Sequence, residues 1–211
     1  MATGRFITFE GGEGCGKSTQ IRLLAERLRA AGKEVLLTRE PGGTALAEKI
    51  RSLVREESDD PPNSRAETLL FIASRAQVVE SVIRPALASG TWVLCDRFAD
   101  STFAYQGYGR GLDLDELKRI NSFATGGLEP DRTILLNVSP EISAKRMRAR
   151  EAATNTDADR MEKAGDGFHA RLRQGFLELA AAEPKRFAVI QADGSVEEVA
   201  EAVWNSIQPM L

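Results

Sequence analysis

The octet Gly11-Gly12-Glu13-Gly14-Cys15-Gly16-Lys17-Ser18 fills every fixed position of the pattern G-x-x-x-x-G-K-[ST]. Its chemistry is anion binding. Glycines let the backbone curl until successive N–H groups point inward, forming a nest for phosphate oxygens. A helix opening near Lys17 adds the positive end of its dipole. The Lys17 ammonium can reach the β- and γ-phosphates of a nucleoside triphosphate, and the Ser18 hydroxyl can ligate Mg²⁺. With Thr19, the residues from Gly11 onward make up the expected nucleotide-binding set. A second pair, Asp96-Arg97, follows the apolar run TWVLC. An aspartate there can hold the Mg²⁺ shell or a bound nucleotide, so Ser18 and Asp96 are the expected metal residues. Arg97 offers a forked donor to a phosphate.

Other chemistries have little to build on. His169 is the only histidine, and Cys15 and Cys95 form no CxxC pair. Zinc sites of Cys/His type and Ser-His or Cys-His catalysis would all have to use His169, which sits in a helix-like stretch with basic neighbours. Cys15 reads as a small residue that fits the loop. The chain has 211 residues and a net charge of −3, without the basic surplus that duplex DNA or an anionic membrane attracts. No apolar run approaches the roughly 18 residues of a membrane span. The first residues show no signal-peptide apolar region, so the cytosol is the expected location.

These groups need elements to position them. Phe6 to Phe9, Glu34 to Thr38, Thr91 to Cys95, Thr133 to Val138 and Phe187 to Gln191 read as buried strands. Between them lie segments of helical period. The first runs from Lys17 to about Ala31, with Ile21, Leu24, Ala25 and Leu28 on one face. Thr44 or Ala45 to Arg55 follows, then a loop at ESDDPPNS. A long helix is expected from Arg65 to Ala88, stopped by Gly90. Asp113 and Glu116 suggest a capping box, as do Ser195 and Glu198, while Ser139-Pro140-Glu141 opens another helix. Arg150 to Asp159 breaks the pattern and reads as a mobile loop, with a further helix to about Ala182. Strands alternating with crossover helices predict an α/β fold, a parallel sheet covered on both faces, in one domain spanning residues 1–211. Ligands of such sheets bind at the carboxyl ends of the strands.

The residues after those strands carry a specific resemblance. VLCDRFADSTFAYQ, from Val93 to Gln106, resembles the signature of thymidylate kinases, with D-R-F-x-x-S-T-x-A-Y-Q intact. TREPGGT from Thr38, LLFIASRAQ from Leu69 and YGRG from Tyr108 are similar to bacterial members. The resemblance implies a P-loop nucleoside monophosphate kinase-like fold of about five parallel strands, with a lid at about residues 146–165. It also implies MgATP and dTMP as substrates and a homodimer, while the slightly acidic charge balance speaks against a nucleic-acid partner.

Site roles follow from the resemblance position by position. Phe71 would stack on the thymine and Arg75 would donate to a thymine carbonyl, the two sharing a helix face at i,i+4 spacing. Arg97 and Arg51 would hold the acceptor monophosphate. Ser101 belongs to the same substrate-binding signature, Thr102 and Gln106 would bond the base or its surroundings, and Tyr105 would lie near the sugar. Glu13 and Glu40 would lie near the sugar and the bridging phosphates. One group of thymidylate kinases carries a basic residue in the phosphate loop directly after the acid; here that position is Gly14. The chain therefore resembles the group that supplies this charge from the lid. Asp159-Arg160-Met161-Glu162 resembles its D-R-x-E motif, which makes Arg160 the first candidate, then Arg150 and Arg148. Lys17, Arg97, Glu13 and the lid arginines Arg160 and Arg150 form the expected catalytic set. A deoxynucleoside kinase, with Asp96 as base, is the nearest alternative. A GTP-dependent switch would need D-x-x-G and N-K-x-D motifs, neither of which occurs.

Overall fold

A computed structural model describes residues 4–56, 58–154 and 166–211. Five strands, β1 (Phe6–Glu10), β2 (Val35–Arg39), β3 (Trp92–Asp96), β4 (Arg132–Asn137) and β5 (Phe187–Gln191), form one parallel sheet in the order β2-β3-β1-β4-β5. The strands begin and end within about one residue of the sequence expectation. β1 is buried along its whole length and β3 nearly so, which explains their continuous apolar runs. The edge strands β2 and β5 alternate in exposure instead.

On one face, α1 (Lys17–Ala30) and α9 (Val196–Ile207) pack Ile21, Leu24, Leu28, Val199 and Val203 against Ile7, Phe9, Leu94 and Ile134. The other face is covered in two parts. Phe98, Val78, Val79 and Ile83 cover Phe6 and Val93, while α8 (Asp166–Ala182) brings Phe168, Leu172 and Phe176 over Leu135 and Phe187. Helices thus cover both sides, and every strand points its carboxyl end at the same edge.

Several segments depart from expectation. The long helix is three pieces: α3 (Ser64–Val78), a π-helical turn at Val79–Ile83, and α4 (Arg84–Ala88). A π turn closes i→i+5 hydrogen bonds instead of i→i+4, and a run of five residues is too short for apolar spacing to reveal the change. Similarly, α5 (Ala99–Thr102) passes directly into a π-helical turn at Phe103–Gly109. Two further helices, α2 (Ala45–Arg55) and α6 (Leu114–Thr125), follow β2 and that turn respectively. Asp113 caps α6 by accepting from the Glu116 N–H but makes no full capping box, whereas Ser195 and Glu198 form both reciprocal bonds of one. Helix α7 (Pro140–Thr154) continues through the first residues of the segment read as a loop from Arg150. The rest of that segment, with Arg160, lies outside the described residues.

A polar seam crosses the packed interior. Thr8 of β1 and Thr133 of β4 share a hydrogen bond of 2.9 Å. Beside them the Arg186 guanidinium donates to both carboxylate oxygens of buried Asp100, at 2.6 and 2.9 Å, and to Thr133 at 2.7 Å. This fork ties α5 to the start of β5.

Candidate active site

The phosphate loop leaves β1 and closes on α1 as the motif requires. Gly14 has φ 66° and lies against α7, where a Cβ would come within 2.8 Å of the Ser143 carbonyl oxygen. A side chain at that position would collide with backbone, which gives the glycine a physical reason. Ser143 Oγ in turn donates to the Glu13 carbonyl at 2.7 Å, seating the loop on α7. Lys17 is buried, its Nζ donating at 3.1 Å to the carbonyls of Gly11 and Gly12. Ser18 Oγ donates to Asp96 Oδ2 at 3.1 Å, so the two expected metal residues meet. A hydroxyl and a carboxylate are the hard oxygen donors that Mg²⁺ prefers.

Arg97 follows β3 at once and is the one non-glycine residue with positive φ, 71°, among the described residues. Hydrogen bonds from backbone and side chains hold this strained residue in place. Its N–H donates to the Phe9 carbonyl at 3.0 Å, and the Phe98 N–H donates to Glu10 Oε1 at 2.7 Å. Ser101 Oγ donates to Glu10 Oε2 at 2.6 Å and accepts from Arg97 Nη1 at 3.2 Å. The guanidinium lies over the Tyr105 ring, 5.0 Å from its centroid, and its Nη2 donates to Glu13 Oε1 at 2.6 Å. Tyr105 donates to the same carboxylate oxygen at 3.1 Å. Burial pushes the Glu13 carboxyl up, but Arg97, Lys17 and the Tyr105 hydroxyl outweigh it and hold the group at about 2.

Glu10 behaves oppositely. It is wholly buried, and burial reinforced by nearby Asp100 raises it to about 7 despite Ser101, Arg97 and the Phe98 N–H. Burial also raises Glu40 to about 7, against the pull of Arg75. A carboxyl whose folded value exceeds its ordinary 4.5 binds more proton in the folded state, so its contribution to stability is lost as pH rises through about 7. We therefore expect Glu10→Gln to flatten the fall in stability between pH 5.5 and 8. Urea midpoints at the two pH values measure it, and an unchanged slope would disprove the assignment. Glu13 does not interfere, since its titration lies below pH 4.5 in both states.

Arg75 on α3 is buried and nearly saturated. Its Nε donates to Glu40 at 2.7 Å, Nη1 to Thr102 and Asn121, and Nη2 to the Phe98 carbonyl. Phe71, one turn earlier, is only partly buried and lines a cavity of about 470 Å³. That cavity brings together Glu13 to Thr19, Glu40, Arg51, Phe71, Arg75, Asp96, Arg97, Ser101, Thr102, Tyr105 and Gln106, with Arg146 and Arg150 of α7. Arg51 Nη1 also donates to the Pro41 carbonyl at 2.9 Å. Arg150 contributes to the field that holds Glu13 ionised. Gly11 and Gly12 border a second cavity of about 540 Å³ behind the loop, and Arg148 and His169 line that one. Arg148 is thereby separated from Arg146 and Arg150, because a step of two residues turns a helical side chain well away from either neighbour. Arg171 and Arg173 are exposed, as a solvated basic face implies, yet Arg171 donates to the Gly109 carbonyl and Arg173 to Asn137.

Sequence reasoning passed over Glu10 and Glu67. The available signal for Glu10 was a lone charge at the end of a strand buried on both faces, where an unpaired acid would be costly.

A phosphate loop at the end of β1, facing an arginine-lined cavity at the end of the adjacent β3, defines a P-loop nucleoside monophosphate kinase. The thymidylate kinase family model matches residues 9–203. A thymidylate kinase from a Synechococcus strain is 52% identical over 206 residues, covering 98% of this chain and 95% of that one. The thymidylate kinase of Deinococcus radiodurans is 48% identical, with 98% of both chains covered. Among solved structures, thymidylate kinase from Ehrlichia chaffeensis superposes with a TM-score of 0.79 at 34% identity, covering 98% of this chain and 100% of that one. The chain belongs to the thymidylate kinase family.

Proposed function

We propose that the cavity holds the two substrates end to end, with ATP on the phosphate loop and dTMP between Arg97 and Phe71. The reaction is transfer of the γ-phosphoryl group of ATP to dTMP, giving dTDP and ADP. The observation that carries the two-substrate arrangement is the adjacency of Lys17, which opens α1 after the phosphate loop, and Arg97, which follows the neighbouring strand β3, both bonded to the Gly11 carbonyl. Gly11 to Thr19 cradle the triphosphate, with Lys17 at its β- and γ-phosphates. Arg97, assisted by Arg51, holds the acceptor phosphate. Phe71 stacks on the base, Arg75 and Thr102 fix its polar edge, and Gln106 bonds its N3. Ser101 and Tyr105 steady Arg97, while Glu13 and Glu40 face the sugar.

A phosphate monoester with a second pKa near 6 is largely a dianion at neutral pH, so the acceptor attacks without a general base. Catalysis then consists of alignment and charge neutralisation. Arg150 supplies positive charge from α7, and Arg160, in the segment outside the described residues, remains the first candidate for the transferring phosphoryl. Ser18 and Asp96 would hold Mg²⁺, which when bound neutralises charge on the triphosphate.

We read residues 1–211 as one kinase domain with a lid at about 146–165, acting in the cytoplasm as a homodimer. Support for the dimer comes from Leu46 and Leu53 of α2, Leu69 of α3 and Phe123 of α6, four large apolar side chains each more than half exposed on helices packed side by side. No helix among the described residues is long and apolar enough to cross a membrane.

ADP release from MgATP, compared for dTMP, dUMP, dCMP, thymidine and no acceptor, tests the assignment. Fast release is expected with dTMP. Release with thymidine but not dTMP would transfer the chain to the nucleoside kinases, with Asp96 as the base.

A further inference from the structure

Glu67 opens a row of residues four apart, Glu67, Phe71 and Arg75, along one face of α3. Phe71 and Arg75 line the cavity, whereas Glu67 lies beneath it, about 1% exposed. A buried acid needs partners. Glu67 Oε1 accepts from Gln106 Nε2 at 3.0 Å, and Oε2 lies 3.6 Å from Arg110 Nη2. Glu67 also stands in the first turn of α3, where the helix dipole favours negative charge.

The contact with Gln106 restricts what that side chain can present. A carboxylate accepts hydrogen bonds and donates none, so the Gln106 amide must turn its NH₂ toward Glu67. Its carbonyl oxygen is left for the cavity that Gln106 lines. An acceptor in that position matches a pyrimidine carrying N3–H, as thymine and uracil do. Cytosine has a lone pair at N3 and would meet the carbonyl acceptor to acceptor. A flipped amide would serve cytosine instead, and glutamine alone has no intrinsic preference between the two orientations.

We propose that Glu67 is a positioning residue that locks the Gln106 amide with its carbonyl toward the base, so that pyrimidines with N3–H are accepted and cytosine is refused. This rests on the placement of Gln106 at N3 given above. It concerns a residue that touches no substrate and acts only through another side chain.

Glu67→Gln keeps the shape but lets position 67 donate or accept, so either orientation of Gln106 is satisfied. The ratio of kcat/KM for dCMP to that for dTMP is expected to rise about tenfold or more, because an acceptor–acceptor clash is no longer enforced. The KM for ATP is expected to stay unchanged. A purely structural role would lower both pyrimidine substrates together and leave the ratio where it was. A folded Glu67→Gln enzyme with the parental ratio therefore overturns the proposal. Should that variant not fold, Glu67→Asp keeps the charge beside Arg110 but withdraws the acceptor by one methylene, and its ratio is read in the same way. N3-methyl-dTMP on the unaltered enzyme tests the underlying placement separately. If it is phosphorylated as well as dTMP, Gln106 does not sit at N3 and the placement fails. If it is refused while both Glu67 variants keep the parental ratio, the placement stands and the role of Glu67 is wrong.

Discussion

Arg97→Ala is expected to lower kcat/KM for dTMP by on the order of 10³ or more, with the fold intact. Two considerations separate this loss from general damage. Alanine at φ 71° bears the same left-handed strain that arginine bears, so the backbone cost nearly cancels between parent and variant. The carboxylate that Arg97 leaves behind, Glu13, keeps Lys17, the Tyr105 hydroxyl and Arg150 as favourable neighbours. What disappears is the forked donor between the phosphate loop and the acceptor cavity, together with the Ser101 bond that aims it. The measurement is steady-state ADP release alongside a thermal melt. Near-parental turnover in a folded variant would remove Arg97 from the acceptor site.

Arg186→Met, far from any reacting atom, is expected to cost about 3–5 kcal/mol of folding stability, because it strands the Asp100 carboxylate in the interior. Asp100 is 1% exposed and takes both prongs of the guanidinium. Thr133, at 3.3 Å, is too weak a partner to replace them. Adding Asp100→Asn to the variant should recover much of the loss, since a neutral amide is far cheaper to bury than a lone charge. Urea unfolding at pH 7 distinguishes the outcomes, and a single-variant loss below about 1 kcal/mol would mean that water reaches Asp100.

How much of this was legible in the chain depends on how local each constraint is. The phosphate loop needs its glycines, lysine and hydroxyl within eight consecutive positions, so its physics is written contiguously. β1 and β3 are buried on both faces and therefore announce themselves as apolar runs. Phe71 has the chemistry of a core residue, and only the motif around it suggested otherwise; in the fold it is half-buried against the cavity. Glu10, Asp100 and Glu67 were not legible in the same way. Each is an acid whose partner lies far along the chain: Phe98 for Glu10, Arg186 for Asp100, Gln106 for Glu67. Periodicity carries no record of such pairings, and strand order, which brings them together, is a tertiary fact. Helix α5 and the π-helical turn at Phe103–Gly109 escaped together, because four residues followed by a turn with wider spacing are too short a run to show a helical period.

The order β2-β3-β1 has one more implication. β3 is hydrogen-bonded directly to β1, with Phe9 opposite Asp96, and the next residue, Arg97, bonds back to the Phe9 carbonyl. Neighbouring strands run about 4.8 Å apart, a spacing set by the peptide group and not by any side chain. The span between the phosphate loop and Arg97, the proposed grips on donor and acceptor, is therefore set by a fixed rung of backbone. Insertions in the crossover helices, or a longer segment after α7, leave that rung as it is. A longer lid or longer helices would accordingly leave unchanged the reach across which, on the proposed reading, a phosphoryl group travels.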